Sequence, residues 1–495
     1  MPLRSPTRLL PLLSLLIVTL SACGDVHPIV SVDQVDAGDG ECTPDCTHRD
    51  CGADDGCGGL CQGVCGAELV HRWSKSFGGG SSDFGVRVVV DSGGNTIIIG
   101  QFLYTADFGG GPLTSAGGYD VFIASYDPVG AHRWSRALSG PEWIFPIDLA
   151  LDGADNLTVT GSFQGDADFG GGTLTSVGGF DIFIASYEAG GAHRWSKRFG
   201  SSLEDGGGGL SLDAAGNIIV TGHFGEAVDF GGGPLTSAGQ RDIFVSMLDE
   251  QGNHRWSRRF GGPSDDFAAA VATDGQSHAL VTGTFQGSAE FGDTMLVSAG
   301  KSDVFLASFT LTGVLQWSKG FGTATTEFAS GVVVDTTGNV TIAGSFDGSI
   351  DFGGGLLLNA GTSDVFVASF DLEGEHRWSR RYGAALGDTA ADIVVDDSGN
   401  VILTGGFNET LVLGLEPLVS AGNSDVFVVS HSPSGALRWS RRFGGTQYDM
   451  GSGVAVHGGD VVVTGSFKEH SNFGGETLTS VGHDDVFLVR LGPKL

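Results

Sequence analysis

The stretch that decides the fold begins with the apolar run Gly209-Leu-Ser-Leu-Asp213 and ends with Ile218-Ile-Val-Thr-Gly-His-Phe224. The turn between them contains Gly216 and Asn217, which take positive φ readily, so the pattern predicts a β-hairpin. Two more predicted strands follow, the largely apolar Asp242-Ile-Phe-Val-Ser-Met-Leu248 and the Arg-rich His254-Arg-Trp256-Ser-Arg-Arg-Phe260. The unit therefore has four predicted strands, and it lacks a helical period.

This unit recurs along the chain at a constant spacing. A tryptophan in the fourth predicted strand marks each copy, and these residues are Trp73, Trp134, Trp195, Trp256, Trp317, Trp378 and Trp439. Repeats of four antiparallel strands are typical of β-propellers. We therefore predict an all-β fold, a seven-bladed β-propeller with four-stranded antiparallel blades.

The order of strands in the chain predicts how the ring closes. The first copy begins with strand four, at Val70-His-Arg-Trp73, and the last copy ends with strand three, at Asp485-Val-Phe-Leu-Val-Arg490. A propeller is stable only when its strand edges are paired. Residues 70–77 are therefore predicted to supply the outer strand of the blade built from 452–491.

The repeat resembles a known family of propeller repeats. The stretches Val332-Val-Val-Asp335-Thr-Thr-Gly338-Asn339 and Asp364-Val-Phe-Val-Ala-Ser369 are similar to the SBBP β-propeller repeat, over about residues 68–493. The Trp-Ser-Arg/Lys of strand four departs from that pattern and is similar to quinoprotein-type propellers. The resemblance implies a fold and no particular activity.

Composition excludes several classes of protein. The 84 glycines have no Gly-X-Y period, and 40% of the residues are hydrophobic, which excludes collagen and argues against disorder over most of the chain. The net charge of −32 argues against a nucleic-acid partner, because an acidic surface repels a polyanion.

The N-terminus has the pattern of an export signal. Basic residues up to Arg8 precede an apolar run from Leu9 to Leu20, which is too short to span a bilayer. Leu20-Ser-Ala-Cys23 resembles the lipobox of bacterial lipoproteins, which implies acylation of Cys23; the alternative is ordinary secretory cleavage. We predict a signal peptide (1–22), an acidic tether (23–41), a Cys-rich segment (42–65) and a propeller (68–493). The expected location is the cell envelope or outer surface.

The remaining cysteines lie close together, which predicts disulfides in an exported chain. They are Cys42, Cys46, Cys51, Cys57, Cys61 and Cys65, and the sequence does not choose among their possible pairings. The alternative is a metal site that includes His48, although no C-x-x-C pair occurs.

The longer connections of each copy, from strand two to strand three and from strand four to the next strand one, fall on one face around the channel mouth. We expect binding there. One acidic residue recurs in the four-to-one loop: Asp83, Asp205, Asp266, Glu327, Asp388 and Asp449. These carboxylates either cap backbone N–H groups of their own loops or form a cation site, with calcium as the candidate ion. We predict no resident metal and no cofactor. Trp143, Phe145 and Tyr448 interrupt the repeat and complete the candidate binding face.

Function is predicted as that of a non-catalytic binding scaffold. The sequence contains no HExxH or GxSxG motif, and its copies are nearly identical. The expected partners are the membrane, through the lipid anchor, and a protein or glycan, with the chain itself a monomer. The alternative is an envelope enzyme with its site at the channel mouth, either a glycan hydrolase or lyase or a quinone-dependent dehydrogenase.

Overall fold

The computed structural model describes residues 69–414 and 416–494. These ranges contain 36 strands and no helix, so they contain no helical segment suited to crossing a bilayer. The predictions for the signal peptide, Cys23, the tether and the six clustered cysteines lie outside the described residues.

The strands of the first three copies follow the predicted hairpins. They are β1 (Leu69–Gly79), β2 (Phe84–Val90), β3 (Thr96–Phe102), β4 (Thr105–Asp107), β5 (Pro112–Thr114), β6 (Asp120–Tyr126), β7 (His132–Leu138), β8 (Ile144–Leu151), β9 (Leu157–Phe163), β10 (Asp166–Asp168), β11 (Thr173–Thr175), β12 (Asp181–Tyr187), β13 (His193–Phe199), β14 (Gly206–Leu212), β15 (Ile218–Val228), β16 (Leu235–Leu248) and β17 (His254–Phe260).

The remaining copies repeat this order. Their strands are β18 (Phe267–Thr273), β19 (His278–Phe285), β20 (Ser288–Phe291), β21 (Thr294–Val297), β22 (Asp303–Thr310), β23 (Leu315–Phe321), β24 (Glu327–Val334), β25 (Val340–Phe346), β26 (Ser349–Asp351), β27 (Leu356–Leu358), β28 (Asp364–Phe370), β29 (His376–Tyr382), β30 (Thr389–Val395), β31 (Val401–Leu411), β32 (Leu418–His431), β33 (Leu437–Gly445), β34 (Met450–His457), β35 (Asp460–Asn472) and β36 (Thr477–Pro493).

The turn between the first two strands of a copy forms because an aspartate caps it. In the third copy, Asp213 Oδ1 accepts hydrogen bonds from the N–H groups of Ala215 and Asn217, both at 2.9 Å. Gly216 lies between them at φ 76°, a conformation that costs glycine little. The same Asp-x-x-Gly-Asn pattern therefore sets the hairpin register in each copy that contains it.

The prediction of seven separate four-stranded blades is wrong. The fold is an all-β propeller with five separate four-stranded blades: β2-β3-β6-β7, β8-β9-β12-β13, β14-β15-β16-β17, β18-β19-β22-β23 and β24-β25-β28-β29. The strands of the sixth and seventh copies join β1, β4 and β5 in one ten-stranded sheet.

Backbone pairing between copies explains this merging. At the end of β33, Gly444 and Gly445 pair with Asn472 and Ser471 of β35. Gly78 and Gly79 at the end of β1 pair in the same way with β4. At two other junctions the corresponding contact is a single bridge, Ser139 with Asp168 and Gly261 with Glu290. Strand four thus reaches the hairpin of the next copy, and in two places the ladder is long enough to fuse the sheets.

The first strand of each copy lines the central axis. These strands contact one another in chain order, β2, β8, β14, β18, β24, β30 and β34, and β34 contacts β2. The hydrophobic core lies between neighbouring copies, where side chains of two sheets meet. One core cluster, for example, combines Ile97 and Ile99 of β3 with Phe163 of β9 and Phe183 of β12. Strands with a neighbouring sheet on both faces are buried throughout and mostly apolar, as in β12.

The indole groups of strand four also join neighbouring copies. Trp195 Nε1 donates to the carbonyl of Glu250 at 3.0 Å, and Trp317 Nε1 donates to that of Leu372 at 2.8 Å. Each acceptor lies in the tight turn between strands three and four of the following copy. A half-buried aromatic ring with a satisfied N–H therefore links each of these two copies to the next.

The predicted ring closure is confirmed. β1 pairs antiparallel with β36 from Leu69 opposite Pro493 to Phe77 opposite Val486. Phe77 is buried against Phe108 and Tyr126. The strand that begins the described chain therefore covers the edge of its last strand.

We expect deletion of residues 69–78 to destabilise the whole propeller. It uncovers the edge of β36 and removes the buried Phe77 ring, whose loss alone costs about 3–5 kcal/mol. Deletion of ten tether residues, 24–33, is the control. Thermal unfolding should show a large fall in melting temperature for the first deletion only, and equal melting temperatures would contradict the closure argument.

Candidate functional site

The two sets of long connections meet on one face of the propeller, here called the mouth face. It consists of the loops from strand four to the next strand one and those from strand two to strand three. Asp266 joins the two sets, since its carboxylate accepts hydrogen bonds from Gly262 N at 2.8 Å in one loop and from Gln286 N at 3.0 Å in the other. Equivalent hydrogen bonds between a loop carboxylate and backbone N–H groups recur in other copies around the face.

The six recurring acids are buried rather than presented to solvent. Asp83 accepts from Gly79 N and Leu103 N, and Asp388 accepts from Ala384 N and Asn408 N. The acids are Asp83, Asp205, Asp266, Glu327, Asp388 and Asp449, with side chains at most 1% exposed. The interpretation that they cap loop N–H groups is confirmed for the five aspartates, whereas Glu327 Oε1 accepts from the hydroxyl groups of Thr323 and Thr325 at 3.2 and 2.8 Å.

Each of these acids lies beside a second buried aspartate, the first residue of strand three. At Gly261, a Cβ atom would lie 2.8 Å from Asp242 Oδ1 and 2.9 Å from Asp266 Oδ2, so the two carboxyl groups share one small space that only glycine leaves open. Asp242 Oδ1 has no hydrogen-bond partner, although Oδ2 binds Arg259 at 2.6 Å. The pair therefore has one carboxylate oxygen that needs a proton or another donor.

Burial raises the pKa of these carboxyl groups, because it disfavours the charged form. It raises the pKa of Asp83, Asp205, Asp388 and Asp449 to about 6 and that of Asp266 to about 7, with the neighbouring aspartate adding to the effect. Backbone N–H donors oppose the shift without cancelling it.

In the pair Glu327 and Asp303, each carboxyl group has an oxygen without a hydrogen-bond donor. Glu327 Oε2 and Asp303 Oδ1 are both buried without a partner, and Gly320 occupies the position where Arg259 stands in the preceding copy. Burial raises the pKa of Glu327 to about 7, and the nearby Asp303 carboxyl adds to this. A proton on one carboxyl group would satisfy both oxygens.

The second copy replaces this arrangement with a different one. Ile144 stands where the other copies have the acid, and it is completely buried. Ser139 stands where the other copies have the glycine, and Asp120 accepts from Gly140 N at 3.1 Å. Burial raises the pKa of Asp120, and hydrogen bonds from Ala116 N, Gly140 N and the Ser139 side chain oppose that shift, so both carboxyl oxygens have partners.

The same loop presents aromatic side chains at the surface. Trp143 is an exposed side chain, with 46% of its surface accessible. Its ring lies 5.4 Å from Phe145 and 5.8 Å from Tyr119, between ring centroids. Phe145 contacts Phe180 at 5.4 Å, and Tyr119 contacts Phe84 at 6.0 Å. We call these five residues the aromatic crescent.

The structure brings together only part of the predicted binding face. Trp143 and Phe145 are in contact, whereas Tyr448, 57% exposed, pairs through its backbone with Ser424 in the region of the sixth and seventh copies. Tyr448 occupies the same place in its copy that Trp143 occupies in the second. The corresponding residues of the other copies are Ser82, Glu204, Asp265, Thr326 and Gly387.

Tyr119, Phe180 and Phe84 were missed by the sequence analysis. Tyr119 and Phe180 share one repeat position that holds Arg241 in the third copy and Ser302 in the fourth. The neighbouring copy sets what this residue faces: Tyr119 meets Trp143, whereas Arg241 binds Asp265 at 2.8 Å. Comparison of the copies position by position would have detected this, because these positions vary while their surroundings repeat.

The axial channel contains a second departure from the repeat. Arg87 of β2 lies between Asp148 of β8 and Asp392 of β30, with Nε 3.8 and 3.9 Å from their carboxylates, and it donates to Ser452 O at 2.8 Å. Asp148 and Asp392 occupy the same repeat position in the second and sixth copies, and the other four copies have Gly or Ala there. Burial raises the pKa of Asp148 to about 6, against the opposing effect of Arg87. Arg87, Asp148 and Asp392 line a cavity of about 170 Å³ in the channel.

The described residues have no group of three or more His, Cys, Asp or Glu side chains placed to hold a metal ion. A second cavity, of about 230 Å³, lies away from the mouth face near Leu69, Trp439 and Pro493, where β1 and β36 meet. Neither of these two cavities is lined by Trp143, Phe145 or Tyr448.

Comparison with known proteins finds distant similarities only. No protein-family model matches the chain. It is 21% identical to an uncharacterized WD repeat-containing protein of Acanthamoeba polyphaga mimivirus over 80% of this chain and 36% of that protein. It is 25% identical to the regulatory protein FlaEY of Caulobacter vibrioides over 33% of this chain and 18% of that protein. The chain thus spans about a third or less of these relatives. The WD40 propeller domain of Doa1 is 12% identical with a TM-score of 0.44, over 85% of this chain and 97% of that domain.

We expect Glu327→Gln to stabilise the protein at pH 8 and to have little effect at pH 5. The folded-state pKa of Glu327 lies above its usual value, so its stabilising protonated form is lost as pH rises toward about 7. Glutamine removes this titration, and its N–H can donate to Asp303 Oδ1. The expected gain at pH 8 is roughly 1–2 kcal/mol in the free energy of unfolding, measured with urea.

Asp335→Asn is the matched control. Against the opposing effect of burial, donors of its own turn, the N–H groups of Thr337 and Asn339 among them, hold the pKa of Asp335 below its usual range, so its stabilisation is complete at both pH values. Its loss should destabilise the protein equally at pH 5 and pH 8. A pH-independent effect of Glu327→Gln would contradict the shared-proton interpretation.

Proposed function

We propose that this chain is a non-catalytic binding scaffold of the bacterial cell envelope, anchored by acylated Cys23, which presents the aromatic crescent to a protein partner. The observation that carries the proposal is the crescent itself. Aromatic side chains at one edge of the mouth face interrupt an otherwise repeated surface, and Trp143 is exposed beside them. Exposed aromatic clusters of this kind are typical of protein interfaces.

The geometry of the carboxylates supports a role without catalysis. The repeated acids bind backbone N–H groups and are buried, so they are not placed to exchange protons with a substrate. The similarity to a WD repeat-containing protein agrees with a scaffold function. A binding partner that spans the mouth face would contact several copies at once.

The anchor is proposed from the sequence. The basic start, the short apolar run and Leu20-Ser-Ala-Cys23 together resemble a lipoprotein signal, and the acidic stretch after Cys23 would separate the propeller from the membrane. The six clustered cysteines would cross-link the segment next to the propeller. In this proposal the protein is an exported monomer held at the membrane surface.

Replacing Cys23 by serine should release the protein from the membrane. The thioether-linked acyl chains would be absent, so the variant should move from the detergent phase to the aqueous phase in phase partitioning, and intact mass should lack the lipid. Cys65→Ser is the matched control and should remain in the detergent phase. Unchanged partitioning of the Cys23 variant would rule out the anchor.

Replacing Trp143 by alanine should abolish capture of the partner. The wild-type protein, Trp143→Ala and Val129→Ala are immobilised and exposed to envelope extract, with recovered proteins quantified by mass spectrometry. Val129 is 76% exposed in a tight turn on the opposite face, so it controls for the loss of any exposed apolar side chain. We expect recovery to fall about tenfold or more for Trp143→Ala only, as for an interface hot spot.

Equal recovery by all three proteins would remove the crescent from the binding site. Recovery of polysaccharide in place of protein would identify an envelope polymer as the ligand and contradict the protein partner.

A further inference from the structure

The aromatic crescent is bordered by carboxylates on the side of the second and third copies. Glu142 precedes Trp143 in the same loop, and Glu204 lies against Gly179, next to Phe180. Glu226 follows at the start of the next hairpin, where it accepts a hydrogen bond from Ser202 Oγ. These three residues are exposed, and we call them the acidic flank.

Few cations compensate the acidic flank. Within the described mouth-face loops, the basic residues are Arg241, Lys301 and Lys468. Arg241 is the one near the flank, and it binds Asp265 at 2.8 Å while its distance to Glu204 is 3.8 Å. Burial raises the pKa of the Tyr119 phenol, and the nearby carboxylates of Asp83 and Asp484 raise it further, so two more acids lie close to the crescent. The surface around the aromatic rings is therefore strongly negative.

Glu226 also has a backbone conformation that favours glycine. Its φ is 49°, and the equivalent positions of the second, fourth and fifth copies are Gly165, Gly287 and Gly348, with φ between 66° and 77°. Glu409 occupies the same position in the sixth copy with φ 54°. A side chain at this position is strained relative to glycine, so the chain offers a matched pair of strained glutamates, one beside the crescent and one away from it.

We propose that the aromatic crescent and its acidic flank dock a Lys- and Arg-rich segment of the partner polypeptide. The proposal rests on the proposed scaffold function and specifies the partner's chemistry. Arginine stacks on exposed Trp and Tyr rings and binds carboxylates, so it matches both halves of this surface. A neutral glycan would match the rings alone, and a nucleic acid would be repelled.

A direct test measures peptide binding to the full chain by isothermal titration calorimetry. The probes are a short Arg- and Lys-rich peptide and a Glu-rich peptide of equal length. We expect the basic peptide to bind at low salt, with affinity falling several-fold at physiological salt, and the acidic peptide not to bind. Absence of binding by the basic peptide, or equal binding of both, would overturn the proposal.

The matched variants separate charge from strain. Glu226→Gly and Glu409→Gly each place glycine at positive φ, so both should raise the melting temperature. Only Glu226→Gly should weaken binding of the basic peptide, by about three- to tenfold, because only Glu226 belongs to the acidic flank. Equal effects of the two variants on binding would show that general negative charge, rather than this site, attracts the peptide.

The outcome of partner capture distinguishes this proposal from the scaffold function. If Trp143→Ala abolishes capture of the envelope partner while Glu226→Gly and Glu226→Gln leave the basic-peptide affinity unchanged, the scaffold function stands and the basic-segment proposal fails. If Trp143→Ala leaves capture intact, the scaffold function at the crescent fails.

Discussion

A buried carboxylate that accepts backbone N–H groups from two loops is the interaction on which the mouth face depends. Asp266 illustrates it, because its two oxygens join the loop before strand one to the connection after strand two. Backbone N–H groups in loops that leave a sheet need acceptors, and a charged acceptor binds them more strongly than a neutral one. The acid thus holds together loops that would otherwise have few internal contacts.

The copy without this acid is the copy with the exposed tryptophan. Ile144 fills the space of the carboxylate with an apolar side chain, and Ser139 takes over hydrogen bonding to Asp120. The loop therefore keeps its backbone path, with Ile144 N donating to Tyr119 O at 2.9 Å as in the other copies. The loop is thus held by its backbone hydrogen bond and by the Ile144 side chain. The residue before Ile144 is not needed to hold the loop, and in this copy that residue is Trp143.

Much of the framework could be predicted from the sequence. Turn aspartates such as Asp213, glycines at positive φ and the spacing of the tryptophans predict four strands per copy, and the missing outer strand predicts the pairing of β1 with β36. The fusion of sheets could not be predicted, because it depends on backbone pairing at Gly444 and Gly445. No side-chain pattern encodes whether that ladder is one bridge or two pairs long.

The candidate site was predicted only in part. Trp143 and Phe145 were identified because they break the repeat. Tyr119 and Phe180 contact them, but their repeat position is recognised as variable only when the copies are aligned. The burial of the recurring acids could not be deduced, since the same residues fit an open ring and a set of loop caps. Arg87 was missed because a strand residue is recognisable as axial only once the ring is known.

The position of Arg87 has a consequence for assembly of the ring. Copies that are nearly identical can pair with the wrong neighbour, which is a characteristic failure of repeat proteins. Arg87 contacts the second, sixth and seventh copies at once, through Asp148, Asp392 and Ser452 O. A ring closed with one copy skipped or exchanged would leave a charge in the channel without its counterion, at a substantial energetic cost. The axial charges thus identify one correct order of the copies.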